Sequence, residues 1–318
     1  MSTNQTSAIP GLDWHQTLYP MLARARPSIP VFYSDLMVAP AQKHSPSASK
    51  PRYAVESWRR LGLPLRFVEP TPASREEIAL AHDRGYVDGV LDLQEQNGFG
   101  TVDRAVAESL PFTSGAMIAA AREAVANGHV AVAPVSGFHQ ARYMHGGGFC
   151  TFNGLIVAAM VLRRAGLVRR VGILDCDHHE GDGSDELIRH HGLSWIEHIT
   201  MGKYFCLHYQ AKAFLALLPK AMEILSVCDV ILYQAGVDPH IHDPLGGWLS
   251  SEQLRTRDRL VFEATAKFQV PIAWCLAGGY QEPVRKVLKI HDATMEECSR
   301  VFAGASIPGV AETRGRAP

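Results

Sequence analysis

VGILDCDHHEGDG, from Val171 to Gly183, joins a short apolar run to three aspartates, two histidines and one glutamate. A run as short as VGILD reads as a buried strand rather than a helix. Side chains alternate along an extended chain. If the strand continues to residue 179, Asp175, Asp177 and His179 share one side, and His178 and Glu180 lie opposite. Carboxylate oxygen and imidazole nitrogen suit zinc or another divalent transition metal, so Asp177 and His179 would supply two ligands. The bland alternative is a solvated acidic turn with incidental histidines.

Other short apolar runs surround this one: VAVAP at 130–134, DVILYQAG at 229–236 and VPIAWCL at 270–276, with VFYSD at 31–35 and LRFVE at 65–69 nearer the start. Helix punctuation lies between them. Asn153 opens GLIVAAMVLRRA, Ser114 opens GAMIAAAREAVAN, a helix covers Tyr53 to Leu61, and Ser74 with Glu77 and Ser250 with Gln253 form capping boxes. The alternation predicts an α/β fold with a mostly parallel central sheet and helices on both faces. Unusual chemistry follows four of these runs: VSGFHQA, DCDHHEGDG, AGVDPHIHDPLGG and AGGY. Strand carboxyl ends and their loops converge in such a sheet, so the four segments can build one site. Asp238, just past ILYQAGV, is then the best third ligand, because a charge there would otherwise sit unused at the rim of a core. Three protein ligands leave a coordination position open, as a catalytic metal requires.

At this point the residues resemble the histone deacetylase and acetylpolyamine amidohydrolase family, in its bacterial form, whose fold is shared with arginase. The resemblance rests on SGFHQA from Ser136, GGGFCTFNG from Gly146, ILDCDHHEGDG from Ile173, AGVDPHIHDPLGG from Ala235, LAGGY ending at Tyr280, and AHDRGYV at 81–87. It implies a three-layer arginase/deacetylase-like domain over 1–318, with an N-terminal extension at 1–25 and a flexible tail at 305–318. It implies one zinc per chain on Asp177, His179 and Asp238, with ferrous iron as the alternative metal. It also implies that Tyr280 aims its hydroxyl at the substrate carbonyl, and that Phe149 and Gly148 line an acyl channel. The expected activity is hydrolysis of an acylated amine, such as acetyl-lysine or an acetylpolyamine, by metal-activated water.

The chain departs from that pattern at His139-Gln140, where relatives carry two histidines. The resemblance implies that the second is the general base, held by an aspartate matching Asp182, while the first pairs with one matching Asp175. A glutamine amide can position water but cannot take its proton. Proton transfer then falls to His139 or to the metal-activated water alone, or else the protein is a catalytically weak, metal-containing binding or regulatory protein. Ile196 and Glu197, before His198, replace a small hydroxyl residue that helps relatives hold structural potassium, so no potassium is assigned. Glu180 replaces a histidine and should point away from the metal.

Arginase chemistry needs further bridging carboxylates, and those positions hold Gly181 and His240. HGGGF from His145 would suit an α/β-hydrolase only with a G-x-S-x-G elbow, and none is present. His240 and His242 lie near the expected metal and read equally as structural loop residues.

A formal net charge of −1 gives no electrostatic case for nucleic acid. The longest apolar run, GLIVAAMVL, stops at Arg163, too short to span a bilayer. MSTNQTSAIPG lacks the pattern of a secretory signal. Six spaced cysteines with no CxxC pair fit reduced thiols and a cytoplasmic protein. The expected partner is an acylated amine or acyl-lysine substrate, with a homo-oligomer allowed by the family.

Overall fold

The computed structural model describes residues 27–42 and 45–304. The expected extension at 1–25, the tail at 305–318 and His44 lie outside the described residues. The strands are β1 (Ile29–Phe32), β2 (Leu65–Val68), β3 (Val130–Ala133), β4 (Val171–Asp175), β5 (Ile196–Thr200), β6 (Val230–Gln234) and β7 (Ile272–Cys275). They form one sheet in the order β2-β1-β3-β7-β6-β4-β5. Every pairing is parallel.

The alternation of side chains sorts the interior into two layers. Val171 and Ile173 of β4, Val230 and Leu232 of β6, and Ala273 and Cys275 of β7 face one core. Leu174, Ile231, Tyr233, Ile272 and Trp274 face the other. Helices α1 (Lys50–Arg60), α7 (Ala211–Leu225), α8 (Ser251–Phe268) and α9 (Arg285–Ala303) supply side chains to the second core. Helices α4 (Arg104–Asn127), α5 (Gly154–Arg164) and α6 (Asp182–His191) supply the first, beside the shorter α2 (Arg75–Ile78) and α3 (Arg84–Leu91). Among the described residues no helix is long and apolar enough to cross a membrane.

Local signals set several boundaries. Asn153 accepts from the Ile156 amide to cap α5, and the capping boxes at Ser74 and Ser250 both form. Other boundaries move. The fourth helix starts at Arg104, capped by Asp103, rather than after Ser114, and carries Pro111 inside it. Proline ordinarily stops a helix, yet the chain continues through Pro111, whose carbonyl accepts the Ala73 amide at 2.8 Å. β5 is an edge strand with a mixed burial pattern, and its polar IEHIT carries little apolar signal.

The four strands followed by unusual chemistry stand side by side at the sheet centre, in the order β3-β7-β6-β4. A fully buried arginine ties two of their ends. Arg257 of α8 donates through Nη1 to the carbonyl of Gly236, after β6, and to that of Cys176, after β4. Its charge is balanced by Asp258 at 2.9 Å, whose carboxylate also accepts from the Tyr233 hydroxyl at 2.5 Å and from Thr294 at 2.7 Å. Replacing Arg257 with Met strands a buried carboxylate and two carbonyls, so Arg257→Met should cost about 3–5 kcal/mol in chemical denaturation. A loss below about 1 kcal/mol, the range of exposed pairs, would show that the network is not needed.

Candidate metal centre

β4 ends at Asp175, earlier than an extended reading to residue 179 requires, and the chain bends through 177–179. The bend still gathers the expected side chains. His179 Nδ1 lies 3.2 Å from Asp177 Oδ1 and 3.0 Å from Asp238 Oδ2. Among the described residues, Asp177, His179 and Asp238 are the group of this kind whose donor atoms converge, all within 4.8 Å of one another. Two carboxylates and one imidazole at this spacing fit a single borderline divalent ion such as zinc.

The backbone around these ligands has no spare room. A Cβ on Gly278 would meet Asp238 Oδ2 at 2.4 Å, and one on Gly236 would meet Asp177 Oδ2 at 2.8 Å. Gly278 donates its amide to Asp177 Oδ2 at 2.8 Å, and the His178 amide reaches Asp238 Oδ1 at 3.1 Å. Burial raises the Asp238 carboxyl to about 7, and the like charge of Asp177 adds to the rise. The His179 imidazole is raised to about 10 by its hydrogen bonds to Asp177 and Asp238. Both shifts have one physical origin, two buried carboxylates crowded against a single imidazole.

Behind the ligands, His139 Nδ1 donates to Asp175 Oδ2 at 2.7 Å. That bond fixes the tautomer, so His139 Nε2 faces the pocket, 3.7 Å from Asp177 Oδ1. Asp175 is fully buried and also accepts from the Asp177 amide and the Gln234 amide group. Burial alone would depress His139, but Asp175 and Asp177 outweigh it and raise its pKa to about 9.

Tyr280 enters from the turn after β7. Its phenol pKa is pushed well above the usual 10 by burial and then by Asp238 and Asp177, so the hydroxyl stays protonated and can donate. Phe149 stacks on Phe99 at 5.7 Å and leans on Tyr280 at 5.5 Å. Its φ of +66° is unusual for an aromatic residue, so this wall is a constrained loop position rather than ordinary core packing. Together His139, Gln140, Phe149, Asp177, His179 and Tyr280 enclose much of a cavity of about 50 Å³.

Several residues stand elsewhere than the sequence suggests. Asp182, expected to support residue 140, pairs instead with Arg142, which also reaches Glu186 at 2.7 Å. A neutral amide at 140 could donate a hydrogen bond but no charge to that carboxylate, whereas a guanidinium offers full charge compensation. Gln140 turns its amide toward Gly148, where a Cβ would sit 1.3 Å from Gln140 Oε1. Glu180 pairs with Lys203 at 2.7 Å, away from the metal ligands. His240 bonds Ser251 Oγ at 2.9 Å and accepts from the His242 amide, a loop-building role. The hydroxyl reaching the metal loop is Thr200, at the carboxyl end of β5, which accepts from the Gly181 amide at 2.9 Å. Ile196 begins that strand, opposite Val171, and is remote from the loop. Two contributors, Asp243 and Lys50, were not legible. Asp243 was signalled only as one more acid in a site loop, and Lys50 carried no signal.

Known proteins share the fold and part of the sequence. A model of the histone deacetylase domain matches residues 44–199. Histone deacetylase 2 of Arabidopsis thaliana is 25% identical over 252 residues, covering 70% of this chain and 65% of that protein. The match thus spans less than two thirds of that relative. The crystal structure of the HDA15 HD domain superposes with a TM-score of 0.69 at 20% identity, covering 88% of this chain and 89% of that one. Acetylpolyamine aminohydrolase from Burkholderia pseudomallei gives a TM-score of 0.65 at 16% identity, covering 86% and 99%. With the domain match over residues 44–199 and the shared fold, this chain is similar to the histone deacetylase domain family.

Proposed function

We propose that the protein is a zinc-dependent amidohydrolase that deacylates an acylated amine, either acyl-lysine or a small acylated amine such as a polyamine. The observation that carries this reading is the convergence of Asp177, His179 and Asp238 beside a carboxylate-held imidazole and a protonated phenol. Zinc on the three ligands would polarise the amide carbonyl and a water. A cation on Asp177 and Asp238 would offset the pull of those carboxylates on His139, leaving Nε2 neutral to take the proton of that water, while Asp175 holds Nδ1–H and offsets the charge that develops on the ring. The Tyr280 hydroxyl donates to the oxygen that becomes negative. His139 then returns the proton to the departing amine, and carboxylate and free amine leave.

Support for a single dyad comes from the Arg142–Asp182 pair. It occupies the carboxylate that would otherwise orient a base at position 140. The same observation also favours a second reading, a metal-containing binding protein with a weak relay. Both readings place the protein in the cytoplasm, in keeping with its spaced cysteines.

Turnover separates them. Zinc-loaded protein should hydrolyse at least one of acetyl-lysine peptide, acetylputrescine and trifluoroacetyl-lysine reporter, and Asp177→Ala should abolish this. Tyr280→Phe should lower kcat by about 10²–10³, the worth of one oxyanion donor. His139→Ala should lower it by about 10²–10⁴, the usual contribution of a general base. Inactivity of fully metallated protein on the whole panel would favour the binding reading.

Gln140→His supplies a separate check. With Asp182 engaged by Arg142 and His139 already serving as base, kcat should change by less than about tenfold, far below a base's full contribution. A rise of several orders of magnitude would show that the natural protein lacks its base.

A further inference from the structure

The turn from Ala277 to Tyr280 is strained and closely packed. Ala277 has φ +55° and Gly279 has φ +145°, and a Cβ on Gly279 would meet Val237 Cγ2 at 2.6 Å. A non-glycine residue in the left-handed region costs energy and persists only where its surroundings hold it there. Two buried charges of opposite sign grip this turn from different elements. Lys50, fully buried at the start of α1, donates from Nζ to the Ala277 carbonyl at 2.5 Å. Its ammonium lies 5.9 Å from the centroid of the Tyr280 ring. Asp243, only 5% exposed, accepts the Tyr280 amide on Oδ2 at 2.7 Å and the Leu245 amide on Oδ1 at 3.1 Å.

Neither residue belongs to the metal set, and neither touches the reacting atoms. Burying a lysine against a lone carbonyl is costly, and burial lowers its pKa to about 8 against the opposing pull of Asp238, Asp177 and Asp243. A merely structural position would be better filled by an apolar side chain of the same length. We propose that Lys50 and Asp243 are positioning residues for Tyr280. Lys50 fixes the carbonyl at the start of the turn and Asp243 fixes the amide at its end, so the phenol is aimed into the metal pocket. Asp243 also couples that aim to the opposite wall, because its other oxygen holds Leu245, which lines the same pocket. The inference rests on the reading of Tyr280 as the oxyanion donor.

The test is a double-mutant cycle on zinc-loaded, full-length protein with an acetyl-lysine peptide that the wild type hydrolyses. Lys50→Met and Asp243→Asn are each made in the wild type and in Tyr280→Phe. Met keeps the length of the side chain without its donor, and Asn keeps only one of two acceptor oxygens. Each should lower kcat by about 10–10²-fold with little change in KM, because a misaimed donor is lost mainly in the transition state. In Tyr280→Phe the same substitutions should cost less than about threefold, since coupled residues are non-additive. Deuterium uptake of a peptide spanning residues 276–284, measured on metal-free protein, should rise in both variants. This readout covers a variant too weakly folded for kinetics.

Three results would overturn the proposal. The first is unchanged kcat in both single variants. The second is an equal loss in the wild-type and Tyr280→Phe backgrounds. The third is unaltered exchange in that peptide. If Tyr280→Phe itself keeps full activity, the oxyanion role falls and the positioning role falls with it. Loss in Tyr280→Phe combined with indifference to Lys50→Met and Asp243→Asn rejects the positioning role alone.

Discussion

Three carboxylates, Asp175, Asp177 and Asp238, lie buried together at the carboxyl end of the sheet, and their mutual repulsion must be offset for the fold to exist. Much of the surrounding architecture can be understood as that compensation. His139 and His179 supply imidazoles, and the amides of Gly278, His178 and Asp177 point inward. Lys50 adds a positive charge from the next layer. A divalent cation answers the same need most completely, so the demands of stability and of chemistry coincide at this point.

Parallel topology brings those charges together. Strands β3, β7, β6 and β4 are adjacent in space although they are far apart in the chain, and each delivers one segment of the site from its carboxyl end. The strands themselves are buried on both faces and carry no charged residue before Asp175, the last residue of β4. Polar chemistry is therefore concentrated at the strand ends and in the loops, where two buried cations, Arg257 and Lys50, satisfy carbonyls that the sheet leaves free. Backbone strain falls at Phe149 and Ala277, two positions that line the cavity beside the ligands.

The replacement at Gln140 is accompanied by a reorganisation of its neighbours. Arg142 takes Asp182 and Glu186 as partners, and the Gln140 amide turns toward Gly148. Asp182 is thus neutralised by a guanidinium two residues beyond Gln140 in the same loop. The remaining dyad, His139 with Asp175, is the more deeply buried of the two and keeps its direct hydrogen bond.

The sequence by itself determined the α/β class, the four central strands and the Asp-His-Asp set, because burial on both faces demands uninterrupted apolar runs and metal ligation demands rare residue types at fixed offsets. Helix caps at Asn153, Ser74 and Ser250 were legible for the same local reason. Tertiary structure alone decided what depends on contacts between distant segments. Pro111 sits within a helix, β5 is held at an edge by its pairing with β4, and Asp182 belongs to Arg142. Lys50 shows the limit most clearly. It stands among ordinary polar residues in the chain, 227 positions from the carbonyl it holds, and only the packed fold places it there. Its importance comes from burial, and burial is a property of the whole fold rather than of any one stretch of sequence.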